Sequence, residues 1–201
     1  MTRVWVSAIV LAGGRSSRFG GDKLAAVIDG RPLLHHAIEA VAGVADEVIV
    51  VAAQAQPRDL PRSPVPLHLV HDDRPFAGPL AGLRTGATRA TGATLLVVGG
   101  DMPSLVPDVL QLLIDAVVTG ATAAALGAED PATPPQPLPM ALARAAAMPA
   151  MDTLLAADRR SLTALLAALD ADIVAAGRWR TLDPEARTVQ DVDRPEDLPR
   201  R

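Results

Sequence analysis

Thirteen residues near the N-terminus, Leu11-Ala12-Gly13-Gly14-Arg15-Ser16-Ser17-Arg18-Phe19-Gly20-Gly21-Asp22-Lys23, combine four glycines, two hydroxyls and three cations. Glycines let a backbone turn tightly and approach a ligand. Exposed N–H groups beside clustered cations suit an anion with many oxygens, such as a triphosphate. The spacing is neither G-x-G-x-x-G nor G-x-x-x-x-G-K-[ST], because Leu24 follows Lys23 where a hydroxyl would serve Mg²⁺. A plain strand-to-helix turn with solvated arginines is the competing reading. Lys23 argues against it. It is the sole lysine among 19 basic residues, so this position alone takes a compact ammonium in place of a planar guanidinium. A loop placement predicts Lys23 to be exposed.

Carboxylates supply the complementary chemistry. Asp101 follows Gly99-Gly100 at the end of an apolar run and precedes Met102-Pro103. There it can hold Mg²⁺ between phosphates, or simply begin a turn. Asp191 and Asp193 are one residue apart, and a short strand at 191–193 would put them on one face. They could equally be a solvated strand end before Pro195. Asp72 and Asp73 precede Ala77-Gly78-Pro79-Leu80-Ala81-Gly82. A carboxylate there can accept from the N1–H and N2 amino group of guanine, or be an acidic loop end. His35, His36, His68 and His71 lack partners at metal-ligand spacing and read as structural, and the Trp179 segment reads as packing.

The elements that must carry these residues alternate. Strands are predicted at 4–11, 48–52, 67–70, 94–98, 121–126, 140–143 and 172–175, and helices at 32–42, 79–90, 107–118, 145–157 and 161–169, the last capped by Ser161. Residues 127–139 contain five prolines and read as an exposed loop. The pattern predicts an α/β fold: a three-layer αβα domain with a mostly parallel, doubly wound, Rossmann-like sheet. The Gly13 loop and Asp101 then share the carboxyl edge, where such sheets bind ligands. One domain over residues 1–201 is expected, its NTP-binding half about 1–105 and its acceptor half about 106–201.

Composition narrows the function. No cysteine is present, which removes disulfides, thiolate metal sites and thiol catalysis. A net charge of −4 and an aromatic content of 2% give no footprint for nucleic acid. No apolar run reaches membrane-spanning length and no targeting segment is visible, so a cytoplasmic protein is expected.

G-G-x-S-x-R-F-G-x-D-K over residues 13–23 resembles the signature of the molybdenum cofactor guanylyltransferase family (MobA-like NTP transferases), with Phe19 at the family's usual Met. Residues 72–82, Gly100-Asp101-Met102-Pro103 and residues 191–198 resemble three further family segments, in the same order and spanning nearly the whole chain. The resemblance implies a Mg²⁺-dependent nucleotidyltransferase of the nucleotidyltransferase fold type that moves GMP from GTP to the terminal phosphate of molybdopterin. It implies nucleotide contacts at Leu11, Ala12, Gly13, Gly14, Arg18, Lys23, Asp73, Gly78 and Asp101. Arg15 and Lys23 would hold the β/γ oxygens, and Arg15, Lys23 and Asp101 would be catalytic. Asp101 and Asp193, with Asp191 in support, would hold the metal. Transient contact with molybdoenzyme maturation proteins would follow. Two departures stand out: Gln136 replaces a family His, and aspartates at 191 and 193 replace the asparagines frequent in the guanylyltransferases. Open alternatives are CTP with molybdopterin, GTP with a phospholactate-like acceptor, and a catalytically silent nucleotide-binding partner, which loss of Lys23 or Asp101 would mark.

Overall fold

The computed structural model describes residues 4–13, 22–53, 59–72, 78–130 and 132–192. Its strands are β1 (Val6–Ala12), β2 (Val27–Ile28), β3 (Arg31–Pro32), β4 (Glu47–Ala53), β5 (Leu67–Asp72), β6 (Thr94–Gly99), β7 (Ala123–Leu126), β8 (Gln136–Ala143) and β9 (Asp172–Val174). Its α-helices are α1 (Leu33–Ala42), α2 (Pro79–Arg89), α3 (Pro107–Val118), α4 (Arg144–Ala156), α5 (Leu162–Ala168) and α6 (Ala176–Trp179), with 3₁₀ turns at Lys23–Ala25 and Arg187–Val189. Proline opens α2 and α3, where a missing N–H costs nothing. Ser161 caps α5 by accepting from the Ala164 N–H.

Seven strands form the sheet in the order β5-β4-β1-β6-β8-β7-β9. β1 is parallel to β4 on one side and to β6 on the other, while β8 runs antiparallel to both its neighbours. Alternate residues of β1 enter opposite layers: Val6, Ala8, Val10 and Ala12 pack with α1 and α3, and Ile9 packs with α2, α4 and α5. The αβα layering expected from the sequence is therefore present.

Three elements differ from the sequence reading. β8 begins at Gln136, within the stretch read as a loop. Its prolines are tolerated because its ladder to β6 covers only Met140–Ala143. Of the expected strand at 191–193, the described residues Asp191 and Val192 are irregular. A two-residue hairpin, β2–β3, was not foreseen; it turns at Asp29-Gly30, both at positive φ.

At the amino edge of the sheet, buried Glu47 braces three segments. Its Oε1 accepts from Ser7 Oγ at 2.6 Å, Thr91 N at 2.8 Å and Thr91 Oγ1 at 2.7 Å. Burial pushes the carboxyl up, but hydrogen bonds from Ser7 and Thr91 together with the His68 charge outweigh it, leaving the pKa below the ordinary 4.5. A depressed folded pKa gives stability that is present above the unfolded pKa and lost as pH falls through the folded value. Glu47→Gln is therefore expected to destabilise the protein at pH 7 by about 1–3 kcal/mol. The loss relative to wild type should shrink as pH falls below the unfolded value of 4.5, read from urea midpoints at neutral and acid pH.

Candidate active site

The parallel pairing of β1 with β6 sets Leu11 opposite Gly99, and Gly100 N donates to the Leu11 carbonyl at 2.9 Å. The strand ends leading to Gly13 and Asp101 are thus joined by the backbone itself. Gly99 leaves room for the carboxylate, since a Cβ there would lie 2.4 Å from Asp101 Oδ1. Lys23 comes from the 3₁₀ turn, which Asp22 caps by accepting from Leu24 N at 3.1 Å. Leu24 anchors that turn in the core. The result is a close pair, Lys23 Nζ to Asp101 Oδ2 at 2.6 Å, bridging 78 residues of sequence. The side chains are 15% and 25% exposed, so Lys23 is more enclosed than its loop position suggested.

The end of the described chain reaches the same place. Val192 N donates to the Asp101 carbonyl at 3.0 Å, and the Val192 side chain is buried with Met102 and Leu105. Asp191, just before it, is exposed. The bond from Val192 sets the adjacent Asp191 backbone beside Asp101; Asp193 lies outside the described residues.

A second rim forms where β5 gives way to α2. Asp72 ends β5, opposite Ala53, with Oδ2 4.0 Å from where a Gly82 Cβ would be. Gly78 precedes α2 at φ 94°, ψ 165°, a conformation essentially restricted to glycine. A Cβ on it would lie 2.9 Å from Arg160 Cβ, and Leu80 N donates to the Arg160 carbonyl at 3.3 Å. Gly78→Ala is expected to cost about 1–3 kcal/mol from backbone strain. It should also raise the KM for the nucleotide by displacing this turn, so thermal unfolding and KM should move together.

The structure thus brings together Leu11, Ala12, Gly13, Lys23, Asp101 and Asp191 at the carboxyl edge, with Gly78 on the neighbouring rim. Gly14, Arg15, Arg18 and Asp73 lie outside the described residues. Sequence reading missed Arg160, half-exposed and paired through Nε with Asp158 Oδ1 at 2.8 Å; the Arg159-Arg160 pair ahead of the Ser161 cap was the available signal. It also missed the capping role of Asp22. Two of the histidines hold backbone: His35 Nε2 contacts the Asp59 carbonyl at 3.0 Å and His36 Nε2 the Ile28 carbonyl at 2.9 Å. Trp179 is buried and donates to the Gly127 carbonyl at 2.9 Å.

A family model for the MobA-like NTP transferase domain matches residues 8–174. The chain belongs to that family. It is a nucleotidyltransferase resembling the molybdenum cofactor guanylyltransferases. The "Probable molybdenum cofactor guanylyltransferase" of Chloroflexus aggregans is 33% identical over 96% of this chain and 91% of that protein. Its namesake in Deinococcus radiodurans is 35% identical, covering 96% and 92%. In fold, the transferase is similar to molybdopterin-guanine dinucleotide biosynthesis protein A from Archaeoglobus fulgidus, with a TM-score of 0.76 at 19% identity over 96% and 94% of the two chains. It is also similar to 2-C-methyl-D-erythritol 4-phosphate cytidylyltransferase from Thermus thermophilus, with a TM-score of 0.70 at 18% identity over 94% of each chain.

The donor set of the transferase suits a magnesium ion shared with phosphates. Among the described residues no group of three or more His, Cys, Asp or Glu could cage a metal. Mg²⁺ is commonly held by one or two carboxylates together with substrate phosphates and water. Asp101, with the Asp191 segment tied to its carbonyl, matches that pattern. No helix among the described residues is long and apolar enough to cross a membrane.

Proposed function

We propose that the transferase moves GMP from GTP to the terminal phosphate of molybdopterin and releases pyrophosphate. The observation that carries this reading is the 2.6 Å pair of Lys23 and Asp101 at the joined ends of β1 and β6. A cation for phosphate oxygens and a carboxylate for a metal must be neighbours if both serve one triphosphate. The names of the relatives support GTP and molybdopterin as the substrates.

In this scheme a terminal phosphate oxygen of the acceptor attacks the α-phosphorus. The new O–P bond forms as the bond from the α-phosphorus to the β-phosphate bridging oxygen breaks, and its electron pair leaves with pyrophosphate. The attacking group is already anionic, so no general base is needed. The work is alignment and charge neutralisation. Lys23 and Arg15 hold the β/γ oxygens, and Arg18 steadies the loop. By the family resemblance Leu11, Ala12, Gly13 and Gly14 would offer backbone to the nucleotide, and Gly78 and Asp73 would serve the base. Asp101 and Asp193, with Asp191, would hold Mg²⁺, which when bound supplies positive charge at the phosphate oxygens. The nucleotide half is residues 1–105 and the acceptor half 106–201 of one domain, in a cytoplasmic protein.

Pyrophosphate release measured with each NTP, with and without molybdopterin, tests the assignment. GTP with molybdopterin should be the productive pair. Productive CTP would replace the base assignment, and GTP binding without turnover under any condition would sink the enzymatic reading.

A further inference from the structure

The chain between Gly127 and Val192 contains a buried polar strap that the proposed chemistry does not use. Trp179 Nε1 donates to the Gly127 carbonyl, and Asp183 N donates to the Trp179 carbonyl at 3.1 Å. The Asp183 side chain is fully buried, and its Oδ2 accepts from Thr188 N at 2.7 Å. Its Oδ1 makes no hydrogen bond among the described residues and lies 3.8 Å from Arg187 Nε. Between them the chain turns through Ala186, held at φ 53°, whose N–H returns to the Asp183 carbonyl at 3.0 Å. Thr188 is also fully buried, and its Oγ1 accepts from Val106 N at 3.1 Å. Four residues later Val192 N reaches the Asp101 carbonyl.

The segment 188–192 therefore grips the turn 101–106 at both of its ends. A single bond at Val192 would let the tail pivot, whereas a second at Thr188 fixes its direction. The Val106 N bond to Thr188 is partly buried, so losing the hydroxyl leaves a donor with restricted access to water. Asp183 in turn fixes Thr188. Burial opposes its ionisation most strongly, but hydrogen bonds from Thr188 and Arg187 and the Arg187 charge hold its pKa below the ordinary value. A fully buried carboxylate kept ionised is a costly way to close a turn, unless that turn must be held in one orientation.

We propose that Asp183 and Thr188 are positioning residues, which hold Asp191 beside Asp101. The inference rests on the reading above, in which these carboxylates form the metal side of the site. A purely structural role would affect stability alone. A positioning role also changes how tightly the two carboxylates hold a metal.

Thr188→Val keeps the side-chain shape and removes the acceptor. Two readouts apply: the Mg²⁺ concentration for half-maximal pyrophosphate release, and Mn²⁺ affinity by calorimetry with a non-hydrolysable GTP analogue and no acceptor. Both constants should rise by about tenfold or more, the scale of lost outer-shell support at metal sites. The GTP KM should stay near wild type, and Thr188→Ser should restore both constants. A variant with lowered thermal stability but wild-type metal constants overturns the proposal. If Thr188→Val does not fold, Asp183→Asn, which keeps an acceptor but drops the charge, should shift both constants in the same direction, and its failure to do so is equally decisive. Asp101→Asn serves as the control. If it leaves the metal constants unchanged, the metal reading itself has failed; if it shifts them and Thr188→Val does not, only the positioning role has failed.

Discussion

Replacing Lys23 by alanine is expected to lower kcat and kcat/KM together by about 10²–10³-fold, the range for removing one preorganised donor at developing charge. The argument is geometric. Lys23 Nζ lies 2.6 Å from Asp101 Oδ2 at the carboxyl edge, so a triphosphate near Asp101 would meet this ammonium as pyrophosphate departs. The fold should survive, because a partly exposed ion pair contributes only about 0–1 kcal/mol and Leu24 still anchors the turn in the core. Lys23→Arg should recover little, since a planar guanidinium cannot replace a compact ammonium in an enclosed position. Steady-state kinetics beside a thermal melt would check this. Wild-type kinetics in Lys23→Ala would remove the phosphate role of this loop.

Asp101→Asn should cost about a hundredfold or more in kcat. Its distinguishing mark is a raised Mg²⁺ requirement. Asparagine keeps a carbonyl oxygen for Lys23 and a similar size beside Gly99, so the turn is preserved while the negative charge is lost. A carboxylate that only starts a turn would show an altered melting temperature and an unchanged magnesium curve. A magnesium titration of the variant therefore separates the two readings.

The two predictions rest on residues that the sequence exposed for different reasons. Lys23 stood out because it is the only lysine among 19 basic residues; no structure was needed to single it out, but its enclosure against Asp101 was invisible. Asp101 was legible as a strand-end carboxylate because β6 is a short apolar run closed by glycine. The layered, mostly parallel sheet followed from alternating elements. Its antiparallel β8 did not, because prolines at 137 and 139 mask a strand that pairs with β6 only beyond them.

The tail was harder still. Asp191 and Val192 look like alternating strand residues, yet the segment is placed by hydrogen bonds at Thr188 and Val192 and one buried valine. Such anchoring leaves no period in the sequence. Asp183 and Thr188 were missed for a related reason. Their partners are backbone N–H groups, one of them 82 residues away at Val106, and nothing in local spacing announces a bond of that kind. Arg160 was passed over because its significance depends on the proximity of Gly78, which only the folded chain shows.

The central claim is attack at the α-phosphorus of GTP in the site built on Lys23 and Asp101. The most direct measurement follows label from GTP into purified molybdopterin product, using GTP labelled at either the α- or the γ-phosphate. Transfer of the α-label with release of the γ-label in pyrophosphate is the result expected, and both should vanish in Asp101→Asn. Transfer of the γ-label, or α-label transfer undiminished in that variant, would contradict the account.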